Sequence, residues 1–168
     1  MKEAVLTQAD FEAIYDRFGV RLRQYIRHQV HDPDLAADLL QETCLRLLRL
    51  RFQVRGEREL AAYLYRTAYS VIVDHFRRER RTRRFHLFRT PEQHGFPRET
   101  TDVERAFGRL NSKERTLLWL AYVEEMNHSE ISIVMDVGVG SVKVLLYRAR
   151  KRLAARLEEY GINPEDPV

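Results

Sequence analysis

The chain has 168 residues, 44% hydrophobic and 32% charged, enough apolar content for one ordinary domain or two small ones and too much for a wholly disordered polymer. Lys and Arg number 29 against 25 Asp and Glu, a formal charge of +4, which alone argues only weakly for a polyanionic partner. The surplus is local: residues 1–74 are balanced, whereas residues 75–91 hold 7 basic groups and 1 acidic. A single cysteine, Cys44, excludes an intrachain disulfide and with it a disulfide-stapled secreted domain. The N-terminus is charged throughout and lacks the apolar run of a signal peptide, so a cytoplasmic protein is expected. The longest uncharged apolar stretch, residues 116–123, is far shorter than the roughly 20 residues of a bilayer-spanning helix, so no membrane insertion is expected.

Thr7 and Asp10 have the spacing of a capping box, and Phe11, Ile14, Tyr15, Phe18, Leu22, Tyr25 and Ile26 then recur at helical intervals. This predicts a helix over about 8–30. Asp32 followed by Pro33 is an N-cap with proline at the first helical position. The stripe Leu35, Ala36, Leu39, Leu40, Leu47 and Leu48 carries a second helix over about 33–50. Residues 51–58 contain Gly56 and no periodicity, a loop pattern, before Ala61, Leu64, Tyr65, Ala68, Ile72 and Phe76 define a third helix. No segment alternates with period two, so the fold class is all-α.

Residues 87–101 are polar and contain Pro91, Gly95 and Pro97, a composition suited to a flexible linker. Two small helical domains are therefore expected, over 8–86 and 102–160. In the second, Val103, Ala106, Phe107 and Leu110 predict a short helix, Asn111 with Glu114 caps the next, and Asn127 with Glu130 caps a brief one through Ile131, Ile133 and Val134. A last helix over about 139–158 buries Val142, Leu146, Ala149, Leu153 and Leu157.

A short helix, a tight turn and a longer basic helix form the helix-turn-helix layout, whose second helix lies in the major groove. At about 100° per residue, the face opposite the buried stripe is centred on Val144, Tyr147 and Lys151, flanked by Gly140, Ser141, Lys143 and Arg148. Its cations suit phosphate and Val144 suits a thymine methyl; a solvated helix end complementing the helix dipole is the plain alternative. Arg77, Arg78, Arg80, Arg81, Arg83 and Arg84 form a second basic cluster. Upstream, Tyr63, Arg66, Thr67, Ser70 and Asp74 share one side of that helix with Arg77, a mixture of aromatic, polar and basic groups that suits single-stranded nucleic acid. On the second helix Asp38, Gln41, Glu42, Leu45 and Arg49 lie away from the leucines, as a solvated face or as a protein-docking face.

His28 and His31, with Asp32 and Asp34 nearby, have a metal-like spacing without a convincing third and fourth ligand. Cys44 is expected to pack as a small hydrophobe beside Leu40 and Leu48. A Gly-rich phosphate loop, a nucleophile elbow and the HExxH pattern are all missing from the sequence, so neither an enzyme nor a metal or other cofactor is expected.

Three stretches in series resemble the extracytoplasmic-function (ECF) sigma factors of bacterial RNA polymerase. Ala37-Asp38-Leu39-Leu40-Gln41-Glu42-Thr43 is similar to the AEDLVQET signature of their region 2. Tyr63-Leu64-Tyr65-Arg66-Thr67-Ala68 with Val73-Asp74-His75-Phe76-Arg77-Arg78 resembles the WLYRIA…IDHLRR that follows it. Residues 127–143, followed by Tyr147-Arg148-Ala149-Arg150-Lys151-Arg152-Leu153, are similar to region 4. The resemblance implies that Asp38, Gln41 and Glu42 dock the clamp helices of the largest polymerase subunit. It implies that residues 52–60 form a loop capturing a flipped base of the minus-ten element. Residues 63–78 would read and open that element, with Arg80 and Arg81 beside them, and Gly140 to Lys151 would read the minus-thirty-five element as duplex. Core RNA polymerase, promoter DNA and an anti-sigma factor are the implied partners. Departures from the family pattern are Tyr63 for its usual tryptophan, Tyr69-Ser70 for its Arg-Asn pair, and Val144-Leu145 for its Ser-Arg after the lysine. The competing readings are a stand-alone helix-turn-helix regulator that binds a palindromic duplex as a dimer, and an adaptor that binds polymerase without recognising promoters.

Overall fold

The computed structural model describes residues 7–49, 56–85 and 100–163, with the side chains of 83–85 excepted. Regular structure among the described residues is entirely α-helical, and the chain divides into two compact units, Met1–His94 and Gly95–Val168. The expected linker at 87–101 lies outside the described residues except at Thr100 and Thr101, and Thr101 already caps the first helix of the second unit.

In the first unit α1 spans Gln8–Val30, α2 Pro33–Arg49 and α3 Glu57–Phe85. The Thr7 hydroxyl accepts from the Asp10 N–H at 3.2 Å while the Asp10 carboxylate accepts from the Thr7 N–H at 3.0 Å, which satisfies two amides that the helix itself leaves open. The Thr7 hydroxyl also donates to that carboxylate and, with the backbone bond, holds its pKa below the ordinary value. Asp32 caps α2, its carboxylate accepting from the N–H groups of Asp34 and Leu35 at 2.9 and 3.1 Å.

Helix α3 starts earlier than the sequence pattern predicts. Residues 57 and 58, read as loop, belong to its first turn, as do residues 57–60 of the stretch that the family resemblance assigns to a base-capturing loop; residues 52–55 of that loop lie outside the described residues. The Gly56 carbonyl accepts from Leu60 N–H at 3.0 Å, and Glu57 and Glu59 place negative charge where the helix dipole favours it. Apolar periodicity is silent there because the turn is exposed and charged. Arg17 of α1 meets Glu57 at 2.5 Å.

Phe18, Leu22, Tyr25 and Ile26 of α1, Ala36, Leu39, Leu40 and Leu47 of α2, and Leu64, Tyr65, Ala68, Val71 and Ile72 of α3 form the core. At its centre the Tyr25 and Tyr65 rings meet edge to face at 5.3 Å, a geometry that adds to their burial. Leu48, expected in the stripe of α2, is exposed instead.

In the second unit α4 spans Asp102–Gly108, α5 Ser112–Tyr122, α6 His128–Met135 and α7 Val139–Glu158. Three capping boxes open the three short helices: Thr101 with Glu104, Asn111 with Glu114 and Asn127 with Glu130. The N-x-x-E spacing predicts the last two; the first, T-x-x-E, falls at the end of the polar stretch expected as linker. Arg115 is buried, its guanidinium donating to the carbonyls of Gly108, at 3.0 Å, and Leu110, which fastens the turn between α4 and α5. Asp136 ends α6 in the left-handed region at φ 53°, a conformation that Asp tolerates better than most residues. Helix α7 packs against α4, α5 and α6, with Val142, Leu146 and Ala149 buried. Leu153 and Leu157 are only half-buried, and Val103, Val123 and Ile133 are exposed.

Removing the Asn127 cap should destabilise the second unit by about 1 kcal/mol in the variant Asn127→Ala. Urea unfolding followed by the fluorescence of Trp119, the single tryptophan and a resident of α5, reads this unit directly. An unchanged midpoint would show that the cap contributes nothing.

Candidate nucleic-acid interface

Burial of Ala36, Leu39, Leu40, Thr43 and Leu47 turns the opposite side of α2 outward. Asp38 and Gln41 are exposed there, Glu42 is half-buried, and Leu45 and Leu48 are 41% and 39% exposed between the polar groups. Carboxylates around uncovered leucines make a surface suited to a protein partner. Gln41 also borders a largely apolar groove of about 680 Å3 between α1 and α2, lined in part by Phe11, Tyr15, Leu40 and Cys44.

Along α3 the geometry sorts the residues that the pattern grouped together. Arg66, Ser70, Arg77, Arg78, Arg80 and Arg81 are exposed, and Tyr63 and Asp74 are half-buried. Thr67 does not share this face: it is 8% exposed, and its hydroxyl donates to the Tyr63 carbonyl at 3.0 Å. The Tyr63 phenol is pushed up in pKa by burial, against a smaller lowering from Arg66, and Tyr69 likewise by burial, against Arg77. Both therefore stay neutral hydrogen-bonding groups at physiological pH.

Arg46, which is not among the residues expected from the sequence, ties these two faces together. Arg46 of α2 places Nε 2.9 Å from Glu42 Oε1 and Nη1 3.0 Å from Asp74 Oδ2, with the Ser70 hydroxyl 3.4 Å from Nη1. Its pKa is raised, most by the bond to Glu42. The i,i+4 spacing from Glu42 was readable in the sequence. The bond to Asp74, which crosses to another helix, was not.

On α7 the exposed side carries Gly140, Ser141, Lys143, Val144, Tyr147, Arg148 and Lys151, with Val144 49% and Tyr147 51% exposed. The Lys151 ammonium lies 5.3 Å from the Tyr147 ring centroid, a cation–π distance. The other α7 cations are engaged inside the unit. Arg150 donates to the Tyr122 hydroxyl at 2.9 Å, Arg152 pairs with Glu114 at 2.5 Å, and Arg156 pairs with Glu159 at 2.6 Å. Of the basic run at the end of the chain, Lys143, Arg148 and Lys151 are thus the cations on the outward face.

Two family models match in series: Sigma-70 region 2 over residues 14–82 and Sigma-70, region 4 over residues 100–153. Similar proteins include the ECF RNA polymerase sigma factor BldN of Streptomyces coelicolor, 28% identical over 95% of this chain and 65% of BldN. The ECF RNA polymerase sigma factor SigM of Bacillus subtilis is 26% identical over 92% of this chain and 98% of SigM. The chain belongs to the ECF sigma factors. The sigma factor spans just under two thirds of the length of BldN and nearly the whole of SigM. Its fold matches that of the sigma factor RpoE from Bartonella quintana, solved with the anti-sigma factor NepR, at a TM-score of 0.74 and 20% identity over 89% of this chain and 97% of RpoE. It also matches CnrH, solved with the cytosolic domain of CnrY, at 0.66 and 23% over 91% and 90%.

Among the described residues of the sigma factor, no helix is long and apolar enough to cross a membrane, and no cluster of His, Cys, Asp or Glu has metal-binding geometry. The His28 ring instead sits with Nδ1 2.8 Å from the Gln24 carbonyl. Cys44 is half-buried on the α1–α2 groove, and burial pushes its thiol pKa up. Since the thiolate is the reactive species, alkylation by iodoacetamide at mildly alkaline pH should be slower in the folded protein than in urea. The unfolded chain also loses this proton first as pH rises, so this group favours folding less at high pH. Equal alkylation rates in the two states would contradict the buried, protonated thiol.

Proposed function

We propose that this sigma factor docks on core RNA polymerase through Asp38, Gln41 and Glu42 of α2, with the exposed Leu45 and Leu48 following on the next turns of the helix. Tyr63, Arg66, Ser70 and Asp74 of α3 meet the minus-ten element as it opens, while Arg77, Arg78, Arg80 and Arg81 hold its backbone. Gly140, Ser141, Lys143, Val144, Tyr147, Arg148 and Lys151 of α7 read the minus-thirty-five element in the major groove. The observation that carries the reading is the one-sidedness of α2, α3 and α7. Each buries one stripe in its own unit and turns outward the residue types its target requires: carboxylates with leucines for a protein, arginines with aromatics for a strand, cations with Val144 for a groove.

The sigma factor contributes recognition and strand positioning, and the polymerase contributes the chemistry, so it needs no catalytic residue, metal or cofactor of its own. It works in the cytoplasm, where polymerase and promoters meet. RpoE and CnrH are each solved with a protein bound, and by extension an anti-sigma factor covers the same faces here.

Core binding should be lost in Asp38→Arg combined with Glu42→Gln. Asp38 is exposed, and Glu42→Gln removes only a part-exposed ion pair with Arg46, worth about 0.2–1 kcal/mol, so the variant remains folded. Undiminished retention of core by the folded double variant would sink the docking face, and a lack of run-off transcription from wild type with core would sink the function.

The DNA-facing residues should separate by salt and by sequence. Replacing Arg77, Arg78, Arg80 and Arg81 by Gln should weaken holoenzyme binding on all promoters alike and flatten the salt slope by about 0.7 to 0.9 per lost contact. Val144→Ser should instead cost on the order of 1 kcal/mol, only on promoters with T at one minus-thirty-five position, and leave the slope unchanged. A uniform loss for Val144→Ser, or a base-specific loss for the arginine variant, would overturn the division of work.

A further inference from the structure

Arg46 stands where two separate tasks of the first unit touch. Its guanidinium takes one carboxylate from the docking face, Glu42 at 2.9 Å, and one from the strand face, Asp74 at 3.0 Å, and reaches toward the Ser70 hydroxyl at 3.4 Å. Asp74 is the odd member of the strand face: it is an anion, 40% exposed, one helical turn from the exposed cations Arg77 and Arg78. A carboxylate beside a phosphate backbone repels it unless a cation neutralises the charge. Arg46 is the residue that does so, and the planar fork of a guanidinium can serve two carboxylates at once where an ammonium acts as a single point charge.

We propose that Arg46 is a positioning residue for minus-ten recognition: it neutralises Asp74, holds it with Ser70 toward the strand, and is shared with the docking carboxylate Glu42. A cation of the polymerase that takes Glu42 releases one arm of Arg46 to Asp74, so docking strengthens neutralisation of the strand face. Occupation of one face thereby favours the other. The inference rests on the assignment of Glu42 to docking and Asp74 to the strand.

The test uses holoenzyme assembled from core polymerase and the full chain, with a fluorescent single-stranded oligonucleotide carrying the non-template minus-ten sequence. Arg46→Gln should weaken strand binding about threefold to fivefold, the scale of a partly exposed ion pair. The deficit should shrink as salt is raised and the Debye length falls below about 10 Å. Asp74→Asn in the Arg46→Gln background should restore binding to the level of Asp74→Asn alone, because the unneutralised charge is gone. Arg46→Lys should fall between wild type and Arg46→Gln.

A merely structural Arg46 would give a loss that Asp74→Asn fails to rescue and salt fails to change, with a lowered melting temperature, and this result would overturn the inference. Equal binding by wild type and Arg46→Gln would also overturn it while leaving the proposed function intact. A wild-type chain that forms no strand-binding holoenzyme would remove that function and the inference together.

Discussion

The outward faces of α2, α7 and the apolar part of α3 are each positioned by a burial on the opposite side of the same helix. Helices as short as α4, α5 and α6 are marginal in water on their own, so they persist by packing on α7, where Val142, Leu146 and Ala149 receive them. Helix α7, whose outward side carries the cations Lys143, Arg148 and Lys151, is therefore also the keel of its unit. The same holds in the first unit, where the Tyr25–Tyr65 contact joins α1 to α3 and fixes the rotation of α3, and with it the direction of Arg66, Ser70 and Asp74.

Charge completes what burial begins. Two cations of α7, Arg152 and Arg150, are tied to α5 through Glu114 and Tyr122, and Arg156 is tied to the C-cap Glu159 of α7 itself, whereas Lys143, Arg148 and Lys151 face outward. In the first unit the arginine cluster follows directly after the apolar part of α3. A rigid helix carries it outward from the core, which lets a small unit present many like charges with little repulsion inside its own packing.

Much of this was legible in the sequence, for a physical reason. Long helices with one buried stripe announce themselves by period, and capping boxes by spacing, so α1, α2 and α7 were placed almost to the residue and α5 and α6 at their starts. The start of α3 was not, because Glu57 to Glu59 are charged and exposed and carry no apolar period. Periodicity also overstated burial at Leu48, Val103 and Ile133, since a stripe read at 100° per residue does not know where its neighbour ends. Thr67 fell on the right side of the helix by angle yet turns inward to the Tyr63 carbonyl. The Arg46–Asp74 pair joins residues 28 apart and depends on how α2 lies against α3, which no local pattern encodes. The site residues of the family resemblance rest on the motifs themselves; the helices show which of them reach solvent.

Gly140 carries a consequence for how such a protein changes over generations. A side chain added there meets nothing within 4 Å, and Val144, one turn on, is exposed as well. Glycine inside a helix is destabilising by roughly 0.5–1 kcal/mol relative to alanine, so most replacements at position 140 leave the unit as stable or more so. With Gly140 and Val144 reading the promoter as proposed, sequence preference and fold stability are uncoupled at these two positions. A duplicated copy of this chain could drift toward a different set of promoters without first passing through an unfolded ancestor.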